Sequence, residues 1–226
     1  MKQKTISENF KGTLVGALLQ SKGGVVLSNW VFQGMRQMNS YEIGLKLILD
    51  VVLTIIVAYW VSDSLSPPMG TILLSFVFAH TLNWIFNGHI YVLWRYVRPV
   101  PTSMEKFKNF VQDMAKRGAD RSGLDGIAIF GSYCRGKLHE HSDLDVRFVV
   151  QEGVVNGVLG AVYCFLERLA AFFKRFPLDI YCCVGMNGME KLREDEIPVV
   201  LLDRSGLLSR KYPESINKLD GYSKSE

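Results

Sequence analysis

Asp143 and Asp145 are the residues of this chain whose type and spacing point most directly to chemistry. They flank Leu144 at the mouth of an apolar run, Val146 to Val150. In an extended strand, residues two apart face the same side. The spacing therefore predicts two carboxylates on one face, with Leu144 turned inward. Carboxylates held that close repel each other. A divalent cation between them relieves the repulsion, and an all-oxygen donor set suits Mg²⁺. Upstream, Gly131 and Ser132 follow a second apolar run, Ile127 to Phe130, which reads as a buried strand. A lone Gly-Ser is a turn and a lone Asp-x-Asp is a solvated strand end. Both together, between two apolar strands, form a far more specific signal.

Other reactive side chains are less well placed. His139, Glu140 and His141 form an H-E-H run, but zinc would need a further Cys or His at ligand spacing, so a solvated loop is expected. Cys134, Cys164, Cys182 and Cys183 show no C-x-x-C pattern and read as reduced thiols of a cytosolic compartment. Neither Cys182 nor Cys183 has a nearby base in sequence to activate it, and one of them is expected in the core. Tyr163, Phe165, Leu169, Phe172 and Phe173 have helical spacing and are expected to pack in the core ahead of any base-stacking role.

Gly131-Ser132, a spacer, and Asp143-Leu144-Asp145-Val146 together resemble the signature of the polymerase-β-like nucleotidyltransferase superfamily. The fuller form, GSYCRG followed by HSDLDV, is similar to the small "minimal" nucleotidyltransferases and to aminoglycoside nucleotidyltransferases. The resemblance covers roughly Met104 to Tyr212 and does not reach the N-terminal half. It implies an α+β fold, a small mixed sheet with flanking helices. It also implies a third carboxylate on a later strand, which PLDIYCCV supplies as Asp179, after a helix-like segment from Val154 to Arg175. Its rival, Asp195, sits in the charged run LREDE, which reads as an exposed helix or loop.

On this resemblance Asp143, Asp145 and Asp179 are the catalytic and metal-binding residues, holding two Mg²⁺ ions. Backbone N–H groups at Gly131 and Ser132, with the Ser132 hydroxyl, would bind the β- and γ-phosphates of a nucleoside triphosphate. Arg135 adds positive charge there, and Gly136 ends the turn. Asp179 would also accept the proton of the attacking hydroxyl. Attack at the α-phosphorus transfers a nucleoside monophosphate and releases pyrophosphate.

The elements that must position these residues are legible on either side. Ser103 is placed to cap a helix from Met104 to Arg117, with Phe107, Phe110, Val111 and Met114 on one face and Gly118 as its stop. IPVVLLD, Ile197 to Asp203, reads as a further strand, and RSGLLSRKY as a turn and an edge segment. Residues 103–213 are thus expected to form the nucleotidyltransferase domain, with 214–226 as a disordered tail.

The first 98 residues have a different character. The whole chain is 48% apolar with a mean hydropathy of +0.13, high for a soluble protein and low for a polytopic one. Two apolar segments, about 43–62 and 70–95, predict a helical hairpin near the ~20 residues needed to cross a bilayer, the second read as one long helix. Trp60, Trp84, Tyr91 and Trp94 suit interfacial positions. Lys22, Arg36 and Lys46 precede the hairpin and Arg95, Arg98, Lys106 and Lys108 follow it, while its connecting loop has no Lys or Arg. The positive-inside tendency then puts both ends in the cytoplasm. His80, Asn83 and Asn87 share one helical face and are read as interhelical hydrogen-bonding groups before a functional stripe. The alternative to a bilayer is a buried hairpin or an oligomer contact. GTLVGALLQ and GGVVLSNWVFQGM read as helices that either lie on the membrane or pack on the hairpin. No cleaved signal peptide is expected, because Lys11, Gln20 and Lys22 break the first apolar segment.

The expected protein is a membrane-associated enzyme with its catalytic domain in the cytoplasm. It would use Mg²⁺ and a nucleoside triphosphate to modify a small polar, sugar-phosphate or lipid-linked acceptor. The hydrophobic helices would offer a homo-oligomer contact. Two alternatives stand beside it: a regulatory nucleotidyltransferase acting on a protein or tRNA, and a non-catalytic nucleotide-binding assembly module. A net charge of +4 with no dense basic tract argues against a grip on duplex nucleic acid and against a template-directed polymerase.

Overall fold

Asn39 caps the helix Ser40–Ser62, the longest among the described residues, its side chain accepting from the Glu42 amide at 2.9 Å. In this computed structural model, which describes residues 12–87, 90–97, 101–189 and 196–217, the chain forms two compact units, Met1–Arg98 and Pro99–Glu226. The first consists of α1 (Leu14–Gln20), α2 (Lys22–Phe32), α3 (Ser40–Ser62), α4 (Met69–Asn87) and α5 (Ile90–Val97). Of the expected long second helix, α4 and α5 are described on either side of Gly88 and His89, which lie outside the described residues.

The α3–α4 pair is inside out by the standards of a soluble hairpin. It buries Glu42, Lys46 and Asp50 of α3 and His80, Asn83 and Asn87 of α4. It exposes Ile48, Val51, Ile55, Leu73, Leu74 and Phe78. The buried groups bond to one another. His80 Nδ1 lies 2.7 Å from Asp50 Oδ2, and Asn83 Nδ2 donates to Asp50 Oδ1 at 2.8 Å. Lys46 Nζ donates to the Asn87 carbonyl, and His80 Nε2 sits 2.9 Å from the Trp30 carbonyl. The polar stripe read from sequence therefore links helices. In water this arrangement would waste the hydrophobic effect; in hydrocarbon, polar groups must find partners inside and apolar ones face outward. Because Lys46 is fully buried, it does not count among the loop cations.

By length and composition α3, α4 and a third helix, α8 (Val154–Phe173), could each cross a membrane. The third belongs to the second unit, which contains α6 (Met104–Ala119), α7 (Gly131–Cys134) and α9 (Leu207–Lys211) around one sheet. Its strands are β1 (Leu124–Phe130), β2 (Leu144–Val150), β3 (Leu178–Val184) and β4 (Val199–Asp203), in the order β3-β2-β1-β4. β1 pairs antiparallel with β2 and β4, whereas β2 and β3 are parallel. A parallel pair needs a crossover, and α8 is that crossover.

Strand alternation sorts the core. Ile127, Ile129, Val146 and Phe148 pack with Phe107, Phe110 and Met114 of α6 and with Cys164 and Ala171 of α8. Ala128, Phe130 and Val149 face the other way, toward Leu208 of α9 and Met189. Ser103 does cap α6, accepting from the Lys106 amide at 3.3 Å. Two local readings change. RSGLLSRKY contains the short helix α9, started where Asp203 accepts from the amides of Leu208 and Ser209, in place of an edge segment. α8 buries mainly small residues, Gly157, Gly160, Ala161, Cys164 and Ala171, because helix and sheet approach closely: a Cβ on Gly160 would lie 2.4 Å from Cys182 Sγ. Phe165, Leu169 and Phe172 are only partly buried and Phe173 is 71% exposed, so these four fall outside the core, whereas the partly buried Tyr163 packs against it. Asp195, Arg98 and the tail from residue 218 lie outside the described residues.

Candidate metal centre

The parallel pairing of β2 with β3 sets Asp145 opposite Asp179 in register. Register partners on adjacent strands point to the same face. Asp143, two residues before Asp145, joins them: one carboxylate oxygen from each of the three lies within 4.8 Å of the others. All three are partly exposed, so a cation can reach them from solvent. Three converging carboxylates and no nitrogen or sulfur donor form a set suited to a hard, oxygen-loving ion. The sequence-predicted trio is thus brought together, and Leu144 between its first two members is fully buried.

Gly131 is the backbone counterpart of this cluster. Its φ is +70°, and a Cβ built on it would stand 2.0 Å from Asp145 Oδ2. Only glycine allows the turn between β1 and α7 to press against the carboxylate. Ser132, next in the turn, has a buried hydroxyl with no partner. Such an orphan, beside a carboxylate cluster, is a donor held ready for a ligand oxygen. Gly131→Ala should cost about 1–2 kcal/mol from the left-handed backbone alone, and the displaced Asp145 should weaken Mn²⁺ binding. Calorimetric titration checks this, and unchanged affinity would remove the steric argument.

Sequence reading missed two side chains here. Glu196, only 7% exposed, lies immediately after the undescribed 190–195 segment. It pairs with Arg135 Nη1, and its other oxygen accepts from the Gly131 amide at 3.4 Å. The acidic run around it looked solvated, and no periodic signal marked one member as turned inward. Tyr181, two residues beyond Asp179 on the same strand face, is the second. Burial first, then the charge of Asp179 and a hydrogen bond to it, hold its phenol pKa well above 10, so it stays a neutral donor to that carboxylate. The guanidiniums of Arg147 and Arg168 lie 4.7 Å and 5.9 Å from the centre of its ring. Asp179 therefore rests on an ordered aromatic-cationic layer. His139 and His141 are exposed and are not members of the carboxylate group found among the described residues.

Residues 104–204 match the family model for a nucleotidyltransferase domain. No curated protein and no solved structure is significantly similar to the chain. The match spans the whole geometry just described, from α6 through the carboxylate trio and the glycine-serine turn to β4. The C-terminal part of this chain, residues 104–204, is thus identified as a nucleotidyltransferase domain, which supports a nucleotidyl transfer activity.

Proposed function

We propose that the chain transfers a nucleoside monophosphate from a nucleoside triphosphate to a small polar, sugar-phosphate or lipid-linked acceptor at the cytoplasmic face of a membrane. The observation that carries the transfer chemistry is the convergence of Asp143, Asp145 and Asp179 beside the Gly131–Ser132 turn. The carboxylates fit two Mg²⁺ ions, which when bound would neutralise the triphosphate and acidify the acceptor hydroxyl. The chain's own residues do the rest. The amides of Gly131 and Ser132, the orphan Ser132 hydroxyl and Arg135 orient the β- and γ-phosphates. The acceptor oxygen forms a bond to the α-phosphorus, and the bond from that phosphorus to the bridging oxygen breaks, its electron pair leaving with pyrophosphate. Asp179, with Tyr181 donating to it, takes the acceptor proton.

The membrane setting is supported by the inside-out α3–α4 pair. Cytoplasmic orientation is supported by the flanking cations and by a connecting loop without any. Purified protein incubated with labelled nucleoside triphosphates, Mg²⁺ and membrane extract should label a lipid or small molecule and release pyrophosphate. Label arriving on a protein or tRNA instead would replace the acceptor assignment with the regulatory alternative. No transfer under any triphosphate would favour a binding module.

Glu196 gives this reading a signed prediction. It occupies donors that the triphosphate would also use. The Arg135 side chain is 43% exposed, so the pair is screened and worth about 1 kcal/mol. Glu196→Gln should therefore tighten Mg²⁺-nucleotide binding roughly fivefold in equilibrium dialysis. Weaker binding would mean that Glu196 aims Arg135 at the phosphates and does not compete with them.

A further inference from the structure

The helix α8 is apolar on both of its sides, and only one of them is used by the sheet. Toward the rest of the domain it turns its glycines, Cys164, Glu167, which pairs with Arg117 and Arg121, and Arg168, which donates to the Ile180 carbonyl. Away from the sheet Val155, Val158, Val162, Leu166, Leu169 and Phe173 recur at intervals of three or four residues, one continuous stripe. Val155 is 72% exposed and Phe173 71%, and no side chain of the stripe can form a hydrogen bond. It runs about 27 Å. A solvated crossover helix would place charges here, so water is not its natural neighbour.

Charge and position indicate what is. Exposed Lys174 and Arg175 follow Phe173 directly, and the neighbouring α6 adds exposed Lys108 and Lys116. Glu105 and Asp113 are the acids on that helix, and Asp113 is paired with Lys174 at 2.6 Å. An apolar stripe with an excess of cations at one end matches the boundary between acyl chains and anionic headgroups. The same chain carries α3 and α4, whose exposed faces are apolar in the same way. The Phe173 end is also the carboxylate end. Only residues 174–177 separate α8 from β3, which opens at Leu178-Asp179, and the Leu144 amide donates to the Pro177 carbonyl at 2.9 Å.

We infer that the outward face of α8 is a docking surface for an anionic bilayer, seating the nucleotidyltransferase domain with its carboxylate end beside the headgroups. This deepens the proposed function, resting on membrane insertion of the helical unit and adding where the acceptor would be presented. The full chain is reconstituted in vesicles containing phosphatidylglycerol, with a nitroxide on Val158→Cys, Leu166→Cys or Phe173→Cys. The four native cysteines are buried and should not compete for the label. Leu74→Cys, on an exposed site of α4, reports insertion itself, and Glu214→Cys serves as the aqueous control.

The expected result is that all three α8 labels collide more with oxygen than with a water-soluble nickel complex, as the Leu74 label does, while Glu214 shows the reverse. An aqueous pattern on α8 with Leu74 in lipid overturns the docking surface and leaves the membrane reading standing. An aqueous pattern at Leu74 as well overturns both. Strong spin–spin broadening between copies at Val158 and Leu166, without lipid contact, would assign the face to a second copy and overturn it too. None of these readouts depends on catalysis, so a failed transfer assay and a failed docking test are separable.

Discussion

Asp145→Asn should stop nucleotidyl transfer and leave the domain folded. Asp145 stands at the centre of the trio: in register with Asp179, two residues from Asp143 and pressed by Gly131. Asparagine keeps the shape and one oxygen but removes the charge that would hold a divalent ion. Removing a single electrostatic contact to a transition state costs about 10²–10³ in rate. A lost metal ligand should therefore reduce pyrophosphate release at least about a hundredfold. The side chain is partly exposed, so fold stability should change by no more than ~0.5 kcal/mol. Pyrophosphate release and Mn²⁺ affinity are measured on the same preparation, with the α8 and β3 amides followed by hydrogen exchange. Unchanged turnover with a folded domain would remove the metal mechanism.

Glu167→Ala should be the most destabilising single change in the same domain. Glu167 is fully buried on α8 and holds two arginines from outside that helix. Arg117 grips both of its oxygens, at 3.0 and 2.6 Å, and Arg121 adds a third bond at 2.7 Å. Arg117 lies on α6 and Arg121 in the turn before β1, so one carboxylate ties the crossover helix to both. Truncating it leaves two guanidiniums facing each other without a counter-charge. Breaking a buried ion pair from one side costs about 3–5 kcal/mol, a large share of the 5–15 kcal/mol that stabilises a typical domain. Hydrogen exchange in the full chain should show faster opening of α6 and α8 together, and Glu167→Gln a smaller loss. Exchange as slow as in the parent chain would mean that packing alone holds these helices.

The aspartate pair was legible before any coordinates because strand geometry converts spacing into direction, while Asp179 was named only by the family resemblance. Asp143, Leu144 and Asp145 alternate faces by necessity, and the apolar runs beside them identify the strands. The cap at Ser103 and the turn at Gly131 have equally local causes. The aromatics of α8 were assigned to the core by periodicity, but two faces of that helix have apolar periodicity, and the close approach of the sheet selected the small residues. Glu196 was invisible for the opposite reason. Its acidic neighbourhood offers no pattern, and the burial of one acid depends on Arg135, 61 residues away.

By itself, the sequence determined what depends on neighbours along the chain: the paired aspartates, the glycine-serine turn, the caps and two apolar helices of bilayer length. Tertiary structure alone decided that β2 and β3 run in parallel register and so bring Asp179 to Asp145. It also decided that Glu196 sits at the turn, and that Asp50 and His80 point at each other while leucines and isoleucines face outward. The division has a single physical origin. Dihedral preferences and periodicity act within a few residues, whereas charge pairing and burial are settled only when distant segments pack.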